Sequence, residues 1–151
     1  MRTVFRYWLL LLLALVILQI AFAGYGAFDT VDKTANGGSV DEKSLEDSFG
    51  LHAGFGYLVL LAALITPLVA LAARVGRQRV LHAVGILVLT IVQVLLAWIG
   101  SEAPIVGALH PVNAFLILGA VAALAAREWK GDRMTGRPTA EPMTPPPSTA
   151  A

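Results

Sequence analysis

The side chains in this sequence that could do chemistry are few. It has three histidines and no cysteine. Disulfides, thiolate metal sites and thiol nucleophiles are therefore excluded. His52 and His110 each stand near the start of a long apolar run, and an ionisable side chain inside a membrane is costly and functional by default. A neutral imidazole offers one lone pair to a metal. Zinc asks for four protein ligands, or three and a water, and this chain offers two imidazoles and no thiolate. Haem iron brings four nitrogens of its own and needs only two axial ligands. His52 and His110 are thus the candidate cofactor-binding residues and haem b the candidate cofactor, with haem iron as the metal. Gly50, Gly54 and Gly56 flank His52, and Gly107 and Ala114 flank His110; small residues let a flat ring approach the backbone. The plainer reading is that glycines serve helix packing and that membrane histidines hydrogen-bond across helices. Gln19 and Gln93, mid-run, suit interhelical hydrogen bonds, or else a polar contact to a cofactor edge. His82 lies toward the opposite end of its run, where an interfacial structural role fits. Pro67 and Asn113 receive no role.

The elements that must carry these residues follow from hydropathy. The chain has 151 residues, of which 57% are hydrophobic, with a mean hydropathy of +0.73. A soluble domain of this length could not hide so much apolar surface. Four segments reach the roughly 20 apolar residues that span a bilayer: about 7–27, 49–73, 80–100 and 105–126. Pro67 falls inside the second and should bend it, whereas Pro111 comes early in the fourth, where a missing N–H costs little.

Charge sets the direction. Arg2, Arg6, Arg74, Arg77, Arg79, Arg127, Lys130, Arg133 and Arg137 fall on one side and only Lys33 and Lys43 on the other, so nine of eleven basic residues share a face. By the positive-inside rule that face is cytoplasmic, which predicts a multi-pass protein of the cell membrane with both termini inside. The opposite face is acidic, with Asp29, Asp32, Asp41, Glu42, Glu46, Asp47 and Glu102. A net charge of +1 gives no reason to expect nucleic acid. The start, with Arg2, Arg6, a leucine run and Ala21-Phe22-Ala23, resembles a secretory signal, but its apolar stretch exceeds the usual ~7–15 residues. Ser44 with Asp47 resembles a capping box, so the second helix is expected to begin outside the membrane. Residues 131–151 are rich in Pro, Thr and Ala and read as a disordered cytoplasmic tail after a transmembrane domain of residues 1–130.

The halves repeat. The Gln19–Gly26 segment of the first span matches Gln93–Gly100 of the third, and Leu51-His52 with a span ending at Arg74 matches Leu109-His110 with a span ending at Arg127. Two-span units return the chain to its starting side, so the copies are parallel repeats about an axis along the membrane normal. The expected fold is all-α: a four-helix transmembrane bundle, up-down-up-down, built from two parallel two-helix repeats. In a cyclic bundle the second and fourth helices are diagonal, about 14 Å apart. Two imidazoles reaching inward from them can share one metal on the pseudo-two-fold axis.

The histidine pair on the second and fourth helices resembles one four-helix half of the heme A synthase family over about residues 5–127. The family's glutamate three residues before the first histidine is Phe49 here, and its outer-loop cysteine pair is absent. The resemblance therefore implies haem-binding architecture and not methyl hydroxylation of haem. The chain also looks like small four-helix membrane proteins of actinobacteria. The function expected is that of a membrane b-type cytochrome-like protein, for electron transfer or haem handling beside another membrane redox or haem protein. No residue is assigned catalysis, and no stand-alone enzyme is expected. The alternative is a cofactor-free accessory or scaffold protein of a larger complex. A transporter would show unwound segments and intramembrane charges that this sequence lacks.

Overall fold

The computed structural model describes residues 1–135, with side chains to Lys130. It consists of α1 (Arg2–Ala35), α2 (Glu42–Ala72), α3 (Arg77–Glu102), a single turn α4 (Pro104–Gly107) and α5 (Leu109–Thr135). Four helices, with α4 and α5 counted as one span, are long and apolar enough to cross a membrane. The helices outrun the apolar segments that predict them. At 34 residues α1 is roughly 50 Å long, whereas a bilayer core is about 30 Å thick. The polar stretch between the first two predicted spans is helical to Ala35 and again from Glu42, so the connection shrinks to 36–41. Of the residues assigned to the tail by composition, 131–135 continue α5, and the remainder lie outside the described residues.

The helices pack in a ring, α1 against α2, α2 against α3, α3 against α5 and α5 against α1. Among the described residues no Cα pair within 8 Å joins α1 to α3 or α2 to α5. Short connections make neighbours antiparallel, so the bundle is up-down-up-down with the expected diagonals. Its core draws on Phe5, Leu9, Leu12 and Val16 of α1, Val59, Ala62 and Ala70 of α2, Ala83 and Ile86 of α3, and Ile117, Val121 and Leu124 of α5. That α1 supplies so much of the core shows it to be a structural member of the bundle. Leu18, Leu61, Val88 and Phe115 lie exposed on the outside of the ring, as expected of surface that faces lipid tails instead of water.

The two ends differ. At the histidine end α1 and α2 form an extended hairpin. Its cap is one turn earlier than Ser44 and Asp47 suggest. Asp41 is the N-cap, accepting from the Ser44 N–H at 2.8 Å, and the Asp41 N–H donates back to Ser44 Oγ at 3.0 Å. The Ser44 N–H holds the Asp41 carboxyl below its usual range. Gly26 sets the crossing of α1 on α2: a Cβ there would lie 2.8 Å from both the Ser48 carbonyl and the Phe49 ring. Gly26→Ala is expected to cost about 1–3 kcal/mol, the usual cost of overpacking. A lowered unfolding midpoint in mixed detergent is the measurement, and an unchanged midpoint would show that the hairpin yields freely.

At the arginine end α2 turns into α3 through Arg74, whose φ of 51° takes the left-handed position more often held by glycine, and Gly76 at φ 95°. Tyr7 packs edge-on against Trp129 at 6.4 Å, and the Arg6 guanidinium lies 5.9 Å from the Trp129 ring centre. Tyr7, Trp129, Tyr25 and Trp98 face outward as an aromatic belt requires. Trp8 instead points inward. Its indole N–H donates inward to Thr66 Oγ1 at 2.9 Å, and Thr66 donates to the Ala62 carbonyl at 2.8 Å, just before the buried Pro67.

Candidate cofactor site at the histidine pair

His52 on α2 and His110 on α5 meet across the bundle diagonal, their ring centroids 6.1 Å apart and their planes at 69°. Each ring is fixed in the same way, His52 by α1 and His110 by α3. His52 Nδ1 lies 3.0 Å from the backbone carbonyl of Gln19, and His110 Nδ1 lies 3.1 Å from that of Gln93. A carbonyl can only accept, so both Nδ1 atoms donate and the proton of each neutral ring resides there. The lone pair is then on Nε2. This is the arrangement in which a metal-ligating histidine is oriented by an outer carbonyl, which also raises its basicity. The repeat inferred from sequence therefore reappears as matched hydrogen bonds.

The rings border a cavity of about 240 Å³ in which Gln19, Gln93, Gly56 and Ala114 also take part. The glycines flanking the histidines in sequence divide sharply. Gly56 lines the cavity, but Gly50 and Gly54 are exposed, and a Cβ added to either would meet nothing within 4 Å. Gly107 is spent elsewhere, packed so closely on Gly100 that a Cβ at residue 100 would lie 2.6 Å from the Gly107 Cα. The expectation that Gly50, Gly54 and Gly107 make room for a ring is thus corrected. For Gly50 and Gly54 helix geometry gives the reason: residues four apart share a face, whereas residues two apart point to nearly opposite sides.

The glutamines do form interhelical hydrogen bonds, but not the same ones. The Gln19 amide N–H donates to the His52 carbonyl at 2.9 Å and stands 3.4 Å from His52 Nε2. Gln93 turns away from its histidine, and its Oε1 accepts from Asn113 Nδ2 at 2.7 Å, while the same amide also donates to the Leu89 carbonyl at 2.9 Å. Asn113, 6% exposed, is a site residue that the sequence reading passes over. His82 lies on α3 toward the arginine end, away from the pair.

The fit of haem can be tested on these features. Two imidazoles sharing one ion, each nitrogen about 2 Å from it, place ring centres a little over 6 Å apart, and 6.1 Å agrees. Each Nε2 carries a lone pair and each ring is held by a carbonyl on Nδ1, which suits an iron ligand, although the Gln19 amide stands 3.4 Å from His52 Nε2. No group of three or more His, Asp or Glu side chains able to hold a bare ion occurs among the described residues, which disfavours a zinc site. The volume is tighter, because about 240 Å³ falls below the ~300–1,000 Å³ usual for ligand pockets. Lining side chains must therefore give way.

A second polar cluster has the composition of a Ser–Lys–Asp nucleophile but not its geometry. Ser48 Oγ donates to Asp29 Oδ2 at 2.6 Å, and Lys33 Nζ donates to Ser48 Oγ at 3.0 Å and pairs with Asp29 at 2.8 Å. A cationic lysine cannot take the serine proton, and Ser48 is only 1% exposed. The cluster ties α1 to α2.

Residues 19–101 match the model of a family of unknown function, DUF6220, a stretch that begins at Gln19 and contains His52 and Gln93. No curated protein and no solved structure matches the chain.

Proposed function

We propose that this chain, which belongs to the DUF6220 family, is a membrane b-type cytochrome-like protein that holds one haem between His52 and His110. The single observation carrying this reading is the matched pair of imidazoles, each with Nδ1–H engaged by a glutamine carbonyl and Nε2 left with its lone pair, 6.1 Å apart at the bundle centre. His52 and His110 would hold the iron, and the bound group would supply one-electron chemistry. The chain itself supplies orientation through the Gln19 and Gln93 carbonyls and a largely apolar surround. Among the described residues no carboxylate or thiol lines the cavity beside the two imidazoles that would hold the iron, which supports electron transfer or haem handling beside another membrane redox or haem protein.

An absorption spectrum of protein purified from haem-sufficient cells tests the reading. A sharp Soret band with resolved visible bands on reduction supports it, and a folded, colourless protein refutes it. One observation favours the cofactor-free accessory reading: both ring nitrogens of His52 already have protein groups nearby, as in ordinary helix packing.

The site is placed toward the external face of the cell membrane, with both termini cytoplasmic. The support is the clustering of nine of eleven basic residues at the other end. Reporter fusions after Arg79 and after Lys130 are expected to read cytoplasmic, and one within 32–42 external. An external reading after Lys130 would reverse the assignment.

A further inference from the structure

We infer that Gln19 is a displaceable cap on His52, so that the two histidines are inequivalent and His110 is the open ligand. The inference rests on the haem reading of this site and extends it to how the site is kept closed and opened.

The asymmetry has a local cause in residues matched by the repeat. Gly56 and Ala114 occupy equivalent positions, one turn beyond each histidine, and Phe55 and Asn113 are likewise matched. At Gly56 there is no side chain, and the Gln19 amide uses that space. A Cβ at residue 56 would stand only 3.1 Å from Gln19 Nε2. From there the amide bonds the His52 carbonyl and directs its other hydrogen toward His52 Nε2, at a distance long enough for the bond to be weak. In the second repeat the Ala114 methyl stands at the equivalent place, and Asn113 draws the Gln93 side chain onto itself. One methyl group and one amide thus separate a capped imidazole from an open one.

The cap is also poorly anchored at its other end. Gln19 Oε1 is buried and has no hydrogen-bond partner among the described residues. A buried orphan acceptor is costly, so the amide gains little from staying. Because the lone pair of His52 Nε2 can serve either Gln19 or a metal, Gln19 must rotate away before His52 can ligate. The same rotation would enlarge a cavity that is otherwise tight. Gln19 is in this sense a positioning residue, acting through His52.

Diethylpyrocarbonate, which acylates the unprotonated ring nitrogen, reads the cap without any haem present. In apo-protein in detergent, site-resolved by mass spectrometry, His110 is expected to react faster than His52 on the order of fivefold, as befits one weak hydrogen bond. Gln19→Ala, which removes the amide, and Gly56→Ala, which displaces it, should each raise His52 toward the rate of His110 and leave His110 unchanged. Titration of the same apo-proteins with hemin should give faster formation of the low-spin spectrum in both variants. Equal rates at the two histidines in the native sequence, or a His52 rate unmoved by both substitutions, would overturn the cap. Unequal rates with no hemin uptake by any variant would instead overturn the haem reading, and with it the displacement step.

Discussion

The double variant His52→Ala/His110→Ala is expected to purify without haem, because among the described residues no other group at the cavity binds iron strongly. Each single variant should lose the low-spin spectrum and open one coordination position. By the repeat alone the two singles should behave alike, but the Gln19 contact makes them unequal. His52→Ala leaves His110, whose Nε2 is free of glutamine, whereas His110→Ala leaves the histidine that the Gln19 amide covers. His52→Ala should therefore retain more haem, by roughly the fivefold that one weak hydrogen bond represents. His82→Ala should leave the spectrum intact, since His82 lies toward the other end of the bundle. Optical titration with hemin, with pyridine haemochrome quantitation, measures all four. A spectrum lost only in His82→Ala would place the site at the wrong end.

How far such a site is legible in sequence depends on which of its contacts obey the repeat. The diagonal meeting of His52 and His110 follows from helix order and their equivalent positions, and the ring separation bears out that geometry. The pairing of Gln19 with His52 and of Gln93 with His110 is half legible. The residues match, but the decisive bonds run from imidazole to backbone carbonyl, which any residue at those positions could offer. Asn113 was not legible because it breaks the repeat, with Phe55 at the matching place. Gly50 and Gly54 mislead unless helix faces are weighed: only Gly56, four residues on, shares the face of His52. The helix ends escaped hydropathy because they lie in polar sequence, where the Asp41 cap and the Asp29–Ser48–Lys33 tie extend α1 and α2 beyond their apolar runs.

A second large effect is expected at the arginine end, where the sequence gives no warning. Glu128 on α5 is buried, with its side chain 4% exposed, and pairs with Arg79 of α3, whose guanidinium also donates to the Val75 carbonyl at 2.9 Å. Arg79 reads in sequence as one more positive-inside residue, and nothing in the pattern singles out Glu128, which stands between Arg127 and Lys130. Removing Arg79 strands a carboxylate in a site with little water, and breaking a buried pair this way costs about 3–5 kcal/mol. The lower end is the better expectation, since Arg79 is itself 38% exposed. The repeat supplies the control. Counted from the glutamine and the histidine of each repeat, the positions matching Arg79 and Glu128 are Phe5 and Ala70, both fully buried in the core, so the first repeat fills the equivalent positions with one large and one small apolar residue. Arg79→Phe with Glu128→Ala copies that solution and should restore most of the lost stability, because well-packed apolar groups often replace a buried ion pair at no cost. A double-mutant cycle read from unfolding midpoints in mixed detergent isolates the coupling. Full native stability in Arg79→Ala would mean that the Arg79–Glu128 pair does not hold α3 to α5. Failure of the paired substitution to recover would mean that the two repeats do not close their corners alike.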